Sequence, residues 1–365
     1  MAIGDRVVVA RDDALYQSFP DVALADDGRL VAIYREADAH VATRSRLVLT
    51  DSHDGGRTWS EPRYLDAPMT LEGDGAVWNC PRLVRQSDGG LTALCDLSVC
   101  APGPIRDGVP PPPERERRFR TFIWRSFDHG LTWSVRRPTR IQGLVPDRLL
   151  ELTEDTWLVG SHYHSLRHFG TLTQIVTITY DAGENWTNTA IVAEVPGMQF
   201  CEGSVTRCPD GHLVCYLCEN SMRSIPTHKC FSFDGGLHWS QPEPCGFVGH
   251  RPVAGMLRSG RVLVTYRDVR LLEPGGPDRR GAHTATAAWL GDPHDERSGR
   301  VLDLELDTSG VFGDYGYSGW TQLPDGRVFC VYHTRGEAPK SYIAGVWFRE
   351  SDFSEPALAV GRRYF

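Results

Sequence analysis

The sequence predicts an all-β protein, a six-bladed β-propeller of four-stranded antiparallel blades that occupies residues 1–365 as one domain. Two repeats carry the prediction. A pattern S/T-x-D-x-G-x-T/N/H-W occurs four times, at 52–59, 126–133, 179–186 and 232–239. Its starts lie 74, 53 and 53 residues apart, and periods of this size belong to propellers and solenoids. A tight turn of Asp-Gly type or a close variant occurs six times, at 26–28, 87–90, 154–156, 209–211, 258–260 and 324–326. Short apolar runs flank these turns, as in β-hairpins.

Each unit reads strand, Asp-Gly turn, strand, loop, strand, Trp-ending turn, strand. The first has its hairpin at Gly28, a β-rich run at 30–34 and the Trp-ending turn at 52–59. The second adds a Pro-rich, charged insertion at 110–117 between its second and third strands. The third and fourth follow with hairpins at 154–156 and 209–211 and both keep the Trp-ending turn. The fifth and sixth lack it, and 290–294 and 349–353 stand in its place. The fifth also carries an insertion at 272–280. The runs 6–10 and 357–360 are expected to share a blade and close the ring.

In the Trp-ending turn the Asp accepts backbone N–H groups across its own turn, Gly supplies a conformation other residues resist, and Trp packs as an apolar plug. These aspartates are read as structural.

Composition narrows the function classes. The net charge of −8 weighs against nucleic acid and anionic membrane as partners. No stretch approaches the roughly 18–20 apolar residues of a membrane helix, and the start of the sequence does not read as a secretory signal. Ten scattered cysteines show no zinc-binding spacing and read as buried small side chains in a reducing, cytoplasmic setting. No cofactor and no metal is expected.

Propeller geometry then points to a site. The first strand of each blade lines the central axis, so its start and the end of the second strand reach the same face. Counting back nine from each hairpin Gly or its equivalent gives Phe19, Cys80, Asp147, Glu202, Arg251 and Tyr317. Counting forward seven gives Arg35, Asp96, Tyr163, Cys218, Arg267 and His333. Nine of these twelve carry charged, phenolic or imidazole groups, and together they predict an axial pocket. His162 and His164 flank Tyr163, and His250 precedes Arg251.

The Tyr317-Ser318-Gly319-Trp320 segment and the Glu202-Gly203-Ser204-Val205 segment, together with the Asp turns, resemble the sialidase (neuraminidase) superfamily, whose Asp-box, or BNR, repeats have this form. The resemblance spans the chain as a fold and is specific at these two segments. It implies Tyr317 as nucleophile and Glu202 as the group that activates it, the tyrosine variant of glycoside hydrolysis. It also implies three arginines around a substrate carboxylate, because guanidinium binds carboxylate in two-pronged fashion. Here Ser18 and Cys218 occupy two of those places, while Arg251 or Arg267 matches the third. The substrate is therefore expected to differ from that of a true sialidase.

The expected function is an exo-acting glycosidase that takes a terminal sugar, including one with an acidic group, from an oligosaccharide or glycoconjugate. Glu202, Tyr317 and Asp147 are the catalytic candidates, with Asp147 and Glu202 as an alternative two-carboxylate pair. Arg35, Asp96, His162, His164, His250, Arg251, Arg267 and His333 are the substrate-binding candidates. A uronate lyase built on the His, Tyr and Arg set, or a propeller that binds sugar without turning it over, are the competing readings.

Overall fold

Residues 5–99, 118–270, 283–309 and 315–356 are described by a computed structural model. Six antiparallel sheets follow one another along the chain, each ordered from its innermost to its outermost strand. Blade one runs Tyr16–Leu24, Leu30–Ala37, Arg44–Ser52 and Arg63–Tyr64, and blade two Ala76–Arg85, Leu91–Val99, Arg118–Ser126 and Arg137–Pro138. Blade three consists of Leu150–Glu151, Trp157–His164, Leu172–Thr179 and Trp186–Ala193. Blade four consists of Phe200–Arg207, Leu213–Glu219, His228–Ser232 and Glu243–Pro244. Blade five runs Gly249–Met256, Val262–Arg270, His283–Asp292 and Asp295–Leu306, and blade six begins with Gly316–Gln322, Val328–Thr334 and Tyr342–Phe348.

Among the described residues the ring closes through the N-terminal strand. Arg6–Ala10 pairs with Tyr342–Phe348 and becomes the outermost strand of blade six. Glu355–Pro356 instead joins the outer edge of blade five, opposite Arg300 and Val301. The run at 357–360 that was expected beside the N-terminal strand lies outside the described residues, as do the two insertions at 110–117 and 272–280.

The middle strands are buried on both faces, so they read as continuous Val, Leu, Ile and Ala runs rather than alternating ones. Leu30–Ala37 and Leu213–Glu219 are buried at every position. Apolar clusters then fill the seams between blades. Val253, Leu263 and Leu290 of blade five pack against Trp320, Val328 and Val346 of blade six. Val22, Ala32 and Val48 of blade one pack against Phe329, Val331 and Ile343 of blade six.

The four Trp-ending segments share one Asp-centred turn, which the indole closes in three of them, while Trp186 Nε1 has no hydrogen-bond partner among the described residues. Asp54 accepts the Thr58 N–H at 2.9 Å and its hydroxyl at 2.6 Å, Gly56 N–H reaches Ser52 Oγ at 2.9 Å, and the Trp59 indole donates to the Gly56 carbonyl at 3.0 Å. Donation from the Thr132 side chain holds Asp128 down to about 2, and the His238 backbone N–H does the same for Asp234. Each turn docks on the preceding blade. Trp347 donates to the Gly55 carbonyl, Arg63 to that of Gly130 and Arg137 to that of Gly183. Gly56 and Gly236 are required there: at φ 97° and 96°, a Cβ would stand 2.9 Å from Phe329 and 2.6 Å from Leu158.

Candidate active site

Five of the six innermost strands carry the same irregularity where they meet the axis. Their pairing slips by one residue between Ser18 and Asp21, Trp78 and Pro81, Cys201 and Ser204, His250 and Val253, and Gly316 and Gly319. Such a bulge re-aims a side chain that the pleat would otherwise bury between blades. Phe19, Glu202, Arg251 and Tyr317 sit in these bulges with φ of 56°, 49°, 49° and 48°, and Val145 of blade three has φ 50°. A left-handed non-glycine residue costs about 1–3 kcal/mol and survives only where surrounding structure enforces it. Five such residues, one from each of five blades, mark a single strained layer at the axis.

The layer has an apolar half and a charged half. Phe19, Cys80, Leu144, Val145 and Tyr317 form one buried cluster. Against it stand Glu202 and Arg251. The Tyr317 hydroxyl donates to Glu202 Oε1 at 2.5 Å, and each of the two residues retains 8% exposure. Burial and then the Glu202 carboxylate push the phenol well above its ordinary value, with Arg267 pulling against them. The Arg267 guanidinium lies 4.9 Å from the Tyr317 ring centre, and that of Arg251 lies 6.0 Å away. Burial disfavours the Arg251 charge, but Glu202 and then Cys80 and Asp147 outweigh it and raise its pKa. Arg251 spends one Nη on the Pro146 carbonyl at 2.8 Å, and its Nε and other Nη have no hydrogen-bond partner among the described residues.

His162 and His250 flank this pair as neutral rings. Burial, followed by the neighbouring arginine charges of Arg251 and Arg267 respectively, lowers each to about 3. His162 Nδ1 accepts the Glu202 backbone N–H at 3.3 Å, so it supports the bulge that presents Glu202. His333 packs at 90° on Phe19 and tilts against Tyr317. His164 lies exposed at the end of its strand.

Three predicted residues are placed differently from expectation. Asp147 is not the blade-three counterpart of Glu202. Blade three lacks the Asp-Gly hairpin and its innermost strand shrinks to Leu150–Glu151, so the nine-residue count slips, and Val145 takes the left-handed position. Asp147, fully buried, accepts the Val205 N–H of the next blade at 2.8 Å. Asp21 accepts Leu83 N–H, and Ser204 Oγ accepts Ala254 N–H, in the same way. Asp147 thus joins the two blades through one carboxylate oxygen, while its Oδ1 has no hydrogen-bond partner among the described residues. Asp96 is likewise enclosed, with its oxygens committed to the N–H groups of Cys80 and Val145 and to the Asn79 amide. Arg35 stacks 4.3 Å over Phe19, with its fork committed to Ser18 Oγ and the His40 carbonyl.

Two contributors were passed over in the sequence. Val145 had no signal because the turn chosen as origin was shifted. Phe19 was counted into the layer, yet its apolar side chain hid its role as the platform on which Arg35, His40, Tyr317 and His333 meet. Asp38, in the loop after the second strand of blade one, caps its own turn through Thr43 and Arg44. A separate open cleft of about 720 Å³ lies at the seam of blades six and one, lined by Arg11, Gln17, Glu36, Arg46 and Tyr64 among others. It pairs Glu36 with Arg46 and holds neither member of the Tyr317–Glu202 pair.

The fold has many solved relatives. A Dyadobacter fermentans protein of unknown function is 22% identical with a TM-score of 0.75, over 94% of this chain and 97% of that one. The Hadza microbial sialidase Hz136 is 16% identical with a TM-score of 0.70, over 96% of this chain and 69% of its own. The Penicillium chrysogenum α-L-arabinanase is 13% identical with a TM-score of 0.62, over 96% and 99%. At these identities the likeness is one of fold. No curated protein matches the chain. Residues 109–330 match the model of the BNR repeat-like domain, more than half of the sequence. With six such blades and a sialidase-type architecture on the page, the chain belongs to the BNR repeat-like domain family as a divergent member.

Proposed function

We propose that the chain is a glycoside hydrolase that removes a terminal sugar at the axial layer, with Tyr317 as nucleophile and Glu202 as its base. The observation that carries this reading is the 2.5 Å hydrogen bond from the Tyr317 hydroxyl to Glu202. A neutral phenol with a raised pKa is a weak nucleophile, and a carboxylate already bonded to its proton takes that proton as the Tyr317 oxygen bonds to the anomeric carbon and the glycosidic C–O bond breaks. The leaving oxygen is protonated from solvent, and water then cleaves the glycosyl–tyrosine bond and returns the proton to Tyr317. Arg267 and Arg251 beside the ring stabilise the phenolate as charge develops and favour a sugar that carries an anionic group. Phe19 and Val145 supply the apolar wall that keeps those charges poorly solvated.

The lyase reading is less well supported. It needs a histidine or tyrosine to take a proton from sugar carbon, yet His162 and His250 are buried to 3% and 2% exposure and His162 already accepts the Glu202 N–H. A reducing, cytoplasmic setting remains part of this reading, on the scattered spacing of the ten cysteines in the sequence.

The test uses aryl glycosides of anionic and neutral sugars. Wild type should release the aryl group, and Tyr317→Phe and Glu202→Gln should each lose at least 99% of kcat with the fold intact. Mass spectrometry of a substrate-trapped sample should place a glycosyl adduct on Tyr317. Turnover by Tyr317→Phe at the wild-type rate would overturn the mechanism.

A further inference from the structure

Blade five lacks the Asp turn, and the residues in its place do something the other turns do not. The hairpin between His283–Asp292 and Asp295–Leu306 docks on blade four, and the Lys229 ammonium holds its Pro293 carbonyl at 2.6 Å. This is the docking that Trp347, Arg63 and Arg137 perform for other blades. Here, however, the turn also projects His294 toward the inner hairpin of blade four. His294 Nε2 lies 3.3 Å from Asp210 Oδ2. Cys208 Sγ, an Asp210 oxygen and a His294 ring nitrogen all lie within 4.8 Å of one another. We propose that Cys208, Asp210 and His294 form a binding site for a divalent transition metal of the zinc class that clamps blade five to blade four.

The donor set suits such an ion. A soft thiolate, a borderline imidazole and a hard carboxylate are all ligands that a borderline ion of the zinc class accepts, and three protein ligands leave one position for water. Bonds of about 2.0–2.3 Å put tetrahedral ligand atoms roughly 3.3–3.8 Å apart, so the cluster needs only a small contraction. The supports are in place. Phe231 stacks on His294 at 4.7 Å, Asp210 Oδ1 is pinned by the His212 N–H at 3.1 Å, and His212 Nδ1 stands 3.0 Å from Asp210 Oδ2. Asp210 and His294 are exposed while Cys208 lies beneath them, so an ion enters from solvent and meets the thiol last. Metal binding breaks the S–H bond, forms the metal–sulfur bond and releases the proton to solvent, so affinity rises with pH.

The experiment takes the full chain stripped with a chelator and adds Zn²⁺ or Co²⁺. Co²⁺ should bind at one equivalent with the near-ultraviolet charge-transfer band of a cobalt–thiolate bond. Cys208→Ser should abolish the band. His294→Gln, at an exposed position that leaves folding intact, should weaken binding at least tenfold, and Zn²⁺ should raise the melting temperature of wild type but not of this variant. Cys218→Ser tests the other clustered thiols, Cys201 and Cys218 beside Glu202, and should leave the band unchanged. Absence of binding, or a band lost in Cys218→Ser and kept in Cys208→Ser, would overturn the proposal.

Discussion

At the scale of single residues, the same side-chain types do opposite work a few ångströms apart. Glu202 accepts the Tyr317 hydroxyl, whereas Asp147, two positions beyond the left-handed Val145, is fully buried and gives one oxygen to a backbone N–H of the next blade. Asp147→Ala should therefore lower stability by about 1–3 kcal/mol, the cost of leaving the buried Val205 N–H without its acceptor, while the folded fraction still turns over substrate. Urea unfolding paired with active-site titration separates the two effects, and a collapse of kcat at unchanged stability would return Asp147 to the chemistry. Arg267→Ala should raise KM for an anionic sugar by about 1.5–3 kcal/mol, the worth of a charge-assisted hydrogen bond, and leave a neutral sugar unaffected. The buried histidines set a pH signature. Unfolded chain protonates them near the ordinary value of about 6.5, and folded chain resists until about 3. Their contribution to stability is complete above pH 6.5 and falls as pH drops through that window, by up to about 1.4 kcal/mol per pH unit for each ring. Unfolding midpoints measured from pH 7 to 4.5 should show this slope, and His250→Gln should reduce it.

At the scale of elements, the bulged strand start and the Asp turn are the two devices repeated around the ring. The bulge turns a strand end into a presenter of side chains, and the turn fastens each blade to its predecessor. Gly236→Ala probes the second device. With φ of 96° and Leu158 only 2.6 Å from the new Cβ, it should cost roughly 1–3 kcal/mol through strain and overpacking. A wild-type melting temperature would show that the blade contact is softer than its geometry. Sequence reading did well here, because four copies of a motif with Asp, Gly and Trp at fixed places leave little freedom in register. It did less well at blade three, where Glu154-Asp155-Thr156 replaces the Asp-Gly pair and no residue type announces the slip to Val145.

At the scale of the whole molecule, closure depends on one strand from the far end of the chain. Arg6–Ala10 covers the edge of Tyr342–Phe348 and buries Val9 in the seam between blades six and one. Removing residues 1–10 should lower stability by more than ~2 kcal/mol, the worth of one buried aliphatic side chain, and should expose a sheet edge that promotes association. Calorimetry and light scattering on the truncated chain would reveal both, and an unchanged melting temperature would mean that the ring holds without its closing strand.

Sequence alone determined the blade number and the order of strands in each blade, because both follow from local motifs at regular spacing, whereas the partnership of Glu202 with Tyr317 was implied by the resemblance of two segments to the sialidases. Sequence did not reach the commitments of Asp96, Asp147 and Arg35, which depend on N–H and carbonyl groups that only the closed ring brings near. Nor did it reach the cluster of Cys208, Asp210 and His294, whose members stand on two different blades. Spacing along a chain records which residues share an element. Which polar atoms are left over after every buried donor and acceptor has found its partner is a property of neighbouring blades, and the tertiary structure alone decided it.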